Sequence, residues 1–517
     1  MYIRYLLLLT TLVVCSNSYK ILVVFPLPSK SHSILGDGVV NALAKAGHQV
    51  TYLTSLPKGK GPSNIREIDL SMDIKPLPES VNDMKNFLNK DKNTENIASL
   101  VTSLYKVYSL VLENKGVQQL IDDPNEQFDV IIIEWFLFNF VSGLSAIFKC
   151  PYIWVSTTDP GREVLQLAGG SINPAYAPDS TSFNVPPFNF YQRVDELLYF
   201  LGSVYREYFI FNPLQYKEYE RIFVPAIKKR GHAVPTMDEV AFNASLILSN
   251  SHPSMGKAIP LPQNLIPIGG YHISREVKPL PENLQKILDN AKNGAIYFSM
   301  GSNLKSKLFP TELKQRLLKM FGGLKYTVLW KFEEELPGTP SNVHIVQWAP
   351  QQSILAHPNC VLFITHGGQL STTETVHFGK PIIAVPAFAD QFINAERAVQ
   401  QGFAKKVDLS YDLAEDMKVA IEEVLGDPKY SAKAKELSQI YHDRPVTPDK
   451  ELVHWVEHVV KTRGAPHLRS PALGVPLYQT LYLDLLGIIV TVLVLIVVGV
   501  KRLLLYIRSG NMKQKKQ

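Results

Sequence analysis

Two residues near the start of the chain have the types and positions needed for proton transfer. His32 follows a strand-like apolar run, residues 20–25, and precedes a helix predicted for residues 34–46. The positive end of a helix disfavours a cationic imidazole, so His32 is expected to be neutral, as a general base must be. Glu134 ends another apolar run, residues 128–133, where its carboxylate can orient the imidazole and stabilise the cation formed. A Glu in this position can also be a plain cap or a solvated side chain.

A second group of residues forms a turn suited to a diphosphate. Residues 360–365 read as a buried strand, and an H-G-G turn from His366 to Gly368 follows before a helix predicted for residues 371–378. Glycines let the backbone approach a phosphate closely. The free N–H groups at the helix start can donate to its oxygens together with the Ser371 hydroxyl. Alone, the pattern also occurs in ordinary turns.

Residues flanking this turn are suited to a nucleoside and a sugar. Trp348 can stack a base, which is worth about 1–3 kcal/mol, and Gln351 can hydrogen-bond the base edge. Glu374, in the helix after the H-G-G turn, can accept hydrogen bonds from two ribose hydroxyls. Asp390 and Gln391 offer a carboxylate and an amide suited to sugar hydroxyls. Each of these residue types is common in packing or capping roles, and only their joint spacing is specific.

Nearly all of these residues stand where a strand is predicted to end, which indicates a common scaffold. In the second half of the chain, apolar strands alternate with helices, with strands predicted at residues 295–300, 326–331, 343–347, 360–365 and 381–385. The first half opens in the same way, with strands at residues 20–25 and 49–54 around a helix. Such alternation is typical of doubly wound parallel sheets, which bind ligands at the carboxyl ends of their strands.

The order of these motifs resembles the donor-binding block of the UDP-glycosyltransferases. The resemblance is carried by W-A-P-Q, H-G-G, a Glu eight residues after His366, the paired Pro381 and Pro386, and a final D-Q. Ser31-His32 followed by L-A-K-A-G-H resembles the N-terminal motif of the family. One position differs from the family pattern: many relatives have Asn where this chain has Leu370. The contact to a phosphate or to the catalytic loop that this Asn would make is therefore expected from Ser371 or the backbone.

The resemblance implies a fold and a set of roles. The fold would be GT-B, an α/β architecture of two Rossmann-like domains facing a cleft, with a C-terminal transmembrane helix. His32 would deprotonate the acceptor, and Glu134 would stand where the family usually has Asp. The S-M-G-S turn resembles the family's glycine-serine turn, which implies that Ser302 contacts the phosphates. The remaining donor-binding residues would be Trp348, Gln351, His366, Gly368, Ser371, Glu374, Asp390 and Gln391.

The reaction implied is inverting transfer of a hexose from a UDP-sugar to the hydroxyl of a small lipophilic acceptor, in detoxification or metabolite conjugation. UDP-glucose is the preferred donor because the block is most similar to invertebrate members, and UDP-glucuronic acid stays open. An aromatic cluster in residues 156–245 suits a greasy acceptor cleft. Alternatives are a non-catalytic carrier of lipophilic ligands on the same fold, and a polymer-acting transferase or nucleotide-sugar epimerase.

The composition argues against several other classes of protein. No D-X-D sequence and no His/Cys cluster with metal-ligand spacing is present, so no metal is expected, and the absence of G-X-G-X-X-G argues against a dinucleotide cofactor. The net charge of +6 comes entirely from the basic residues after position 500, so nucleic-acid binding is not expected. Three cysteines imply no disulfide framework. The oligomeric state is left open, and a homo-oligomer is compatible with the sequence.

The two ends of the chain carry targeting signals. Residues 1–18 have a short apolar core and a small-X-small site typical of a removed signal peptide. Residues 483–503 read as a transmembrane helix, and residues 504–517 as a basic cytosolic tail. Lys513-Gln514-Lys515-Lys516-Gln517 resembles a retrieval signal of the endoplasmic reticulum, and a merely solvated basic tail is the alternative. The expected location is therefore the endoplasmic reticulum membrane, single-pass type I, with lumenal catalytic domains.

Between these ends we expect two domains. Residues 19–245 would form the acceptor-binding domain and residues 246–475 the UDP-sugar-binding domain, because residues 246–250 and the Pro-rich segment 253–270 look like the crossing between them. Asn243 begins an N-A-S sequon, a candidate glycosylation site in a lumenal protein.

Overall fold

The structure is a computed structural model, and it describes residues 18–59, 61–73, 84–89, 94–179, 182–255, 258–274 and 276–514. Apart from Ser18, the predicted signal peptide lies outside the described residues, as does the end of the predicted retrieval signal, residues 515–517.

The first domain is built on a seven-stranded parallel sheet with strand order β3-β2-β1-β4-β5-β6-β7. Its strands are β1 (Lys20–Phe25), β2 (Gln49–Thr54), β3 (Ile65–Asp69), β4 (Val130–Trp135), β5 (Tyr152–Ser156), β6 (Leu246–Ser249) and β7 (Leu265–Pro267). The central strands are almost continuous apolar runs, as a sheet covered by helices on both faces requires. The helices in this part of the chain are α1 (Lys30–Lys45), α2 (Met84–Leu88), α3 (Thr94–Glu113), α4 (Lys115–Asp122), α5 (Gly143–Phe148), α6 (Arg162–Leu167), α7 (Phe190–Arg206), α8 (Asn212–Glu218), α9 (Val224–Lys229) and α10 (Met237–Ala241). Met84 and Leu88 of α2 belong to the apolar core of the second domain.

The second domain contains a six-stranded parallel sheet with strand order β10-β9-β8-β11-β12-β13. Its strands are β8 (Ala295–Ser299), β9 (Thr327–Lys331), β10 (Val343–Val346), β11 (Cys360–Thr365), β12 (Ile382–Ala384) and β13 (Ala404–Lys406). The helices that follow the first domain are α11 (Glu282–Asp289), α12 (Thr311–Gly322), α13 (Gln351–Ala356), α14 (Gln369–Phe378), α15 (Gln391–Gln400), α16 (Leu413–Gly426), α17 (Pro428–His442) and α18 (Pro448–Lys461). The doubly wound sheet predicted for this half is confirmed.

Both sheets reverse their strand order at one place, and these places organise the cleft. In the first sheet the chain moves outward from β1 to β3 and then returns to place β4 on the other side of β1. The second sheet does the same between β8 and β11. At such a point the loops leaving two neighbouring strands turn in opposite directions, which opens a crevice for ligands.

The division between the domains differs from the expected boundary at residue 245. The strands β6 and β7 pair with the first sheet, so this sheet continues to Pro267 rather than ending before Leu246. The chain also returns at its end, since Leu452, Val456 and Val459 of α18 belong to the apolar core of the first domain. Leu246–Ser249 is apolar because it is a buried strand between β5 and β7, and it is not a linker.

The chain ends in a long helix, α20, after the short helix α19 (Leu477–Thr480). The helix α20 covers Leu483–Gln514, and its stretch Leu483–Arg508 is long and apolar enough to cross a membrane, with none of it buried against the protein. The helix continues past the predicted membrane boundary at residue 503, where Leu504, Leu505 and Arg508 are also good helix formers.

Candidate active site

His32 and Glu134 meet at the switch point of the first sheet. The helix α1 begins at Lys30, earlier than expected, so His32 lies in its first turn rather than in the preceding loop. Glu134 is the last but one residue of β4, which pairs with β1. The Nδ1 of His32 is hydrogen-bonded to Oε1 of Glu134. The imidazole therefore has only Nε2 left for a ligand in the cleft.

An aromatic ring packs against His32, and Glu134 is closed off from solvent. The His32 side chain is 15% exposed, whereas the Glu134 side chain is fully buried. The ring of Phe136 packs against the imidazole edge to face, with centroids 4.9 Å apart. The second carboxylate oxygen of Glu134 makes no hydrogen bond with the part of the chain that the structure describes. Burial raises the pKa of the nearby Tyr108 hydroxyl, and the negative charge of Glu134 adds to that increase.

The first turn of α1 contacts the second domain directly. Ser29 Oγ lies 3.0 Å from Oδ1 of Asn303, and Asn303 follows Ser302 in the loop after β8. Lys30 Nζ lies 5.5 Å from the centre of the Trp348 ring. His32 therefore faces the candidate donor-binding residues across a narrow part of the cleft.

The H-G-G turn lies at the switch point of the second sheet, beside the loop that contains Ser302. The His366 ring lies between two glycines, because a Cβ on Gly301 or on Gly368 would come within 2.6 Å of ring atoms. Gly301 has a φ of 81° and Gly367 has a φ of 80°, which favour glycine. The glycines predicted to admit a phosphate thus also leave room for the partly buried imidazole of His366.

His366 is held neutral by its environment. Burial, aided by the positive charge of Lys331, lowers the pKa of His366 from its usual 6.5 to about 4. The Nζ of Lys331 donates to the carbonyl oxygen of Gly301 over 3.0 Å, so this charge is fixed beside the turn. A neutral imidazole at this place can donate a hydrogen bond without carrying charge.

The lowered pKa of His366 predicts a pH-dependent stability. The unfolded chain takes up the proton first as the pH falls, so this contribution is complete above pH 6.5 and is lost between pH 6.5 and 4. By pH 5 the loss is about 2 kcal/mol. We expect the free energy of unfolding of His366→Gln to fall less between pH 7 and pH 5 than that of the wild type, as measured by urea titration. Equal pH dependence in the two proteins would contradict the assignment.

Three of the predicted donor-binding residues are joined into one network. Gln351 begins α13, and its Nε2 donates to Ser371 Oγ over 3.1 Å and to Glu374 Oε2 over 2.6 Å. Gln352 Nε2 donates to Glu374 Oε1 over 2.9 Å. Glu374 is almost completely buried, so its carboxylate already has two amide donors at the place proposed for ribose hydroxyls. Trp348 stands apart from this network and is 56% exposed beside a groove of about 650 Å³.

Asp390 and Gln391 are placed at the start of α15, and they face different ways. Burial raises the pKa of the Asp390 carboxyl, although Asn394 donates to it over 2.8 Å. The Oε1 of Gln391 accepts hydrogen bonds from the backbone N–H groups of Ala387 and Phe388. The side-chain oxygen of Gln391 therefore stabilises the loop before α15, and only the side-chain nitrogen is left to bind a sugar.

The structure adds residues that the sequence did not indicate. Arg397 on α15 forms an ion pair with Asp159 of the first domain, with Nη1 and Oδ2 2.6 Å apart, and both side chains are nearly buried. His272, in the segment that joins the domains, lies 3.6 Å from Glu374. Neither residue belongs to a recognisable motif. The spacing of a single charged or ring residue along the chain does not show which distant residue it contacts.

The aromatic cluster expected to line the acceptor cleft is divided by the structure. Phe190 and Tyr191 are more than half exposed on α7, as are Tyr205 and Phe209 further along the same helical segment. Phe183 instead contacts a ring of the second domain, Phe392, with centroids 4.8 Å apart. Periodicity could not tell a ring on the outer surface from one at the domain boundary.

Two further predictions concern single features. Asn243 is exposed, and Arg469 donates a hydrogen bond to its Oδ1. Among the described residues, no group of three or more His, Cys, Asp and Glu side chains is arranged to hold a metal ion.

Comparison with known proteins places the chain in a family. A profile described as "UDP-glucoronosyl and UDP-glucosyl transferase" matches residues 20–517. The chain is 33% identical to UDP-glycosyltransferase UGT5 of Dactylopius coccus, over 97% of this chain and 95% of that protein. It is 33% identical to UDP-glucosyltransferase 2 of the same species, over 93% of this chain and 92% of that protein. It is 28% identical to UDP-glucuronosyltransferase 2B1 of Rattus norvegicus, over 94% of both chains.

The fold has solved counterparts as well. The calicheamicin glycosyltransferase CalG4 matches with a TM-score of 0.57 and 16% identity, over 87% of this chain and all of that one. The glycosyltransferase of kitacinnamycin matches with a TM-score of 0.53 and 16% identity, over 85% of this chain and 98% of that one. At this identity the likeness concerns the fold, and it confirms the GT-B architecture. The chain belongs to the UDP-glucuronosyl and UDP-glucosyl transferase family and is a UDP-glycosyltransferase that transfers sugar from a UDP-sugar.

Proposed function

We propose that the protein transfers glucose from UDP-glucose, with inversion, to a hydroxyl of a small lipophilic acceptor. This proposal rests on the His32–Glu134 pair. The start of α1, the helix that carries His32, contacts the loop that contains Ser302 on the other side of the cleft. A base on one domain and an anion-binding turn on the other is the arrangement that a displacement between two bound substrates requires.

His32 acts as the general base in this proposal. Its Nε2 accepts the proton of the acceptor hydroxyl while that oxygen attacks the anomeric carbon of the sugar. The bond between the anomeric carbon and the diphosphate oxygen breaks, and UDP leaves from the opposite face. The proton stays on the imidazole, and the buried carboxylate of Glu134 stabilises the resulting cation through Nδ1.

The diphosphate is assigned to the turn at the second switch point. Ser302, Ser371 and the neutral His366 supply hydrogen-bond donors there, and the backbone at Gly368 begins α14. The N-terminal end of this ten-residue helix favours negative charge. These groups would stabilise the charge that develops on the leaving UDP.

The nucleoside is assigned to Trp348, Gln351 and Glu374. The exposed ring of Trp348 can stack the base, and ribose hydroxyls can replace glutamine donors on the Glu374 carboxylate. The hexose is assigned to Asp390 and to the free amide nitrogen of Gln391.

Two observations favour glucose, namely the match to a UDP-glucosyltransferase at 33% identity and the lower identity of 28% to a UDP-glucuronosyltransferase.

A lipophilic acceptor is supported by the rings at the boundary between the domains. Phe136 packs on the candidate base. Phe87 of α2 stacks on Phe388 of the second domain, with centroids 5.7 Å apart. Apolar walls beside a single polar reacting centre are typical of sites for small organic molecules.

The location that we propose is the endoplasmic reticulum membrane. The apolar helix Leu483–Arg508 would be the single anchor, with a cytosolic basic tail and lumenal catalytic domains. The exposed Asn243 would then be accessible to the glycosylation machinery. No metal is assigned to the reaction.

The decisive experiment measures donor choice with the full-length protein in microsomes. UDP-glucose and UDP-glucuronic acid are each offered with a panel of phenols and steroids, with and without EDTA, while glycoside formation is followed. We expect glucosides in at least tenfold excess over glucuronides, with EDTA having no effect. Glucuronides as the main product would overturn the donor assignment, and UDP-sugar binding without any glycoside would favour the carrier function.

A further inference from the structure

One buried histidine in the segment between the domains has no role in the proposal above. His272 follows β7 and has a completely buried side chain. Both of its ring nitrogens lack a hydrogen-bond partner among the residues that the structure describes. A buried polar group without a partner costs free energy, so its retention calls for a specific explanation.

Among the described residues, the charged group beside this ring is the candidate ribose-binding carboxylate. His272 Nε2 lies 3.6 Å from Oε1 of Glu374, whose side chain is 4% exposed. This separation is slightly too long for a hydrogen bond, and a shift of a few tenths of an ångström would close it. At present the same carboxylate is held by Gln351 and Gln352. A ligand that replaces one of these amides would leave the other glutamine and His272 as the protein donors beside Glu374.

The other side of His272 is packed against the first domain. A Cβ on Gly38 would lie 2.9 Å from the Cα of His272 and 3.0 Å from its Cβ. Gly38 belongs to α1, whose first turn carries His32. His272 is thus wedged between the helix with the candidate base and the helix with the candidate ribose ligand.

We propose that His272 is a positioning residue for the UDP-sugar. It holds the Glu374 carboxylate in place when the ribose hydroxyls displace a glutamine, and it sets the distance between α1 and that carboxylate. This inference rests on the donor-binding role proposed for Glu374. Its consequence is that His272 affects donor binding much more than the chemical step.

Two substitutions separate the donor function of the ring from its bulk. His272→Phe keeps a planar ring and removes the N–H, whereas His272→Gln keeps an amide donor near the position of Nε2. We expect His272→Phe to raise the KM for UDP-glucose and the Kd for UDP about tenfold, since hydrogen bonds to charged groups are the stronger ones. The kcat should change less than about twofold, and His272→Gln should restore most of the donor affinity.

His48 provides a matched control. It is also a buried histidine, and its Nε2 lies 3.4 Å from a carboxylate oxygen of Glu457, far from the donor-binding residues in sequence. His48→Phe should lower the midpoint of thermal unfolding as much as His272→Phe does, while leaving the KM for UDP-glucose unchanged. An equal rise in KM in both variants would mean that the effect is merely structural, and would overturn the proposal.

A double-mutant cycle tests whether His272 acts through Glu374. In a Glu374→Gln background, His272→Phe should weaken UDP binding by less than twofold instead of about tenfold. Independent, multiplying effects would refute the proposed coupling. Because UDP binding is measured by calorimetry on the full-length protein in detergent, the result does not depend on turnover. A failure of the proposed acceptor or sugar would appear only in the glycoside assay.

Discussion

Replacing His32 with alanine is expected to lower kcat about 10²–10⁴-fold, the usual contribution of a general base. The acceptor hydroxyl would then have no positioned group to take its proton, because Nε2 of His32 is the free nitrogen of the pair with Glu134. The Kd for UDP should stay within about twofold, since the imidazole belongs to the opposite domain from the donor turn. Glycoside formation and calorimetric UDP binding, measured on the same full-length preparation, distinguish these two quantities.

Two companion variants sharpen this prediction. His232 lies in the same domain, with its Nδ1 3.2 Å from the carbonyl oxygen of Ala146, and His232→Ala should leave kcat unchanged. Glu134→Gln should lower kcat, because it removes the charge that stabilises the imidazolium. In the His32→Ala background Glu134→Gln should have no further effect on kcat, since the carboxylate acts only through the ring. A His32→Ala enzyme with wild-type kcat would refute the base assignment.

Replacing Gly301 with alanine is expected to produce the largest loss of stability among single methyl additions in the donor turn. The φ of 81° at Gly301 costs an L-residue about 1–2 kcal/mol. The new Cβ would lie 2.6 Å from the partly buried ring of His366, and overpacking of this kind costs about a further 1–3 kcal/mol. The ring cannot move away freely, because Gly368 confines it on its other side.

Gly338 is the matched control for the backbone contribution. It has a φ of 75°, and a Cβ there would meet no atom within 4 Å. Gly338→Ala should therefore show only the backbone cost, and the difference between the two variants in urea unfolding is the cost of the contact with His366. We also expect Gly301→Ala, unlike Gly338→Ala, to weaken UDP binding. Equal losses in the two variants would show that His366 is not confined by Gly301.

The strands were predictable because they are short, continuous apolar runs between clear turn signals. Lys20–Phe25, Gln49–Thr54 and Cys360–Thr365 have the bounds expected from the sequence. The helix start at Lys30 was placed four residues too late, since the helix begins at polar residues that show no apolar periodicity. The strand Leu246–Ser249 was mistaken for a linker because a short buried strand and an apolar connection look alike without their neighbours.

The candidate residues of the cleft could be found from local sequence motifs, but the hydrogen bonds between them could not. The motifs W-A-P-Q, H-G-G and D-Q could be placed after β10, β11 and β12 from the sequence, and parallel sheets place the carboxyl ends of their strands along one edge. Only the tertiary structure decided that Gln351 would donate to Glu374, that Gln391 would support its own loop, and that His272 would lie beside a carboxylate 102 positions later. Motifs record positions along the chain, whereas hydrogen bonds and burial depend on how separate segments pack together.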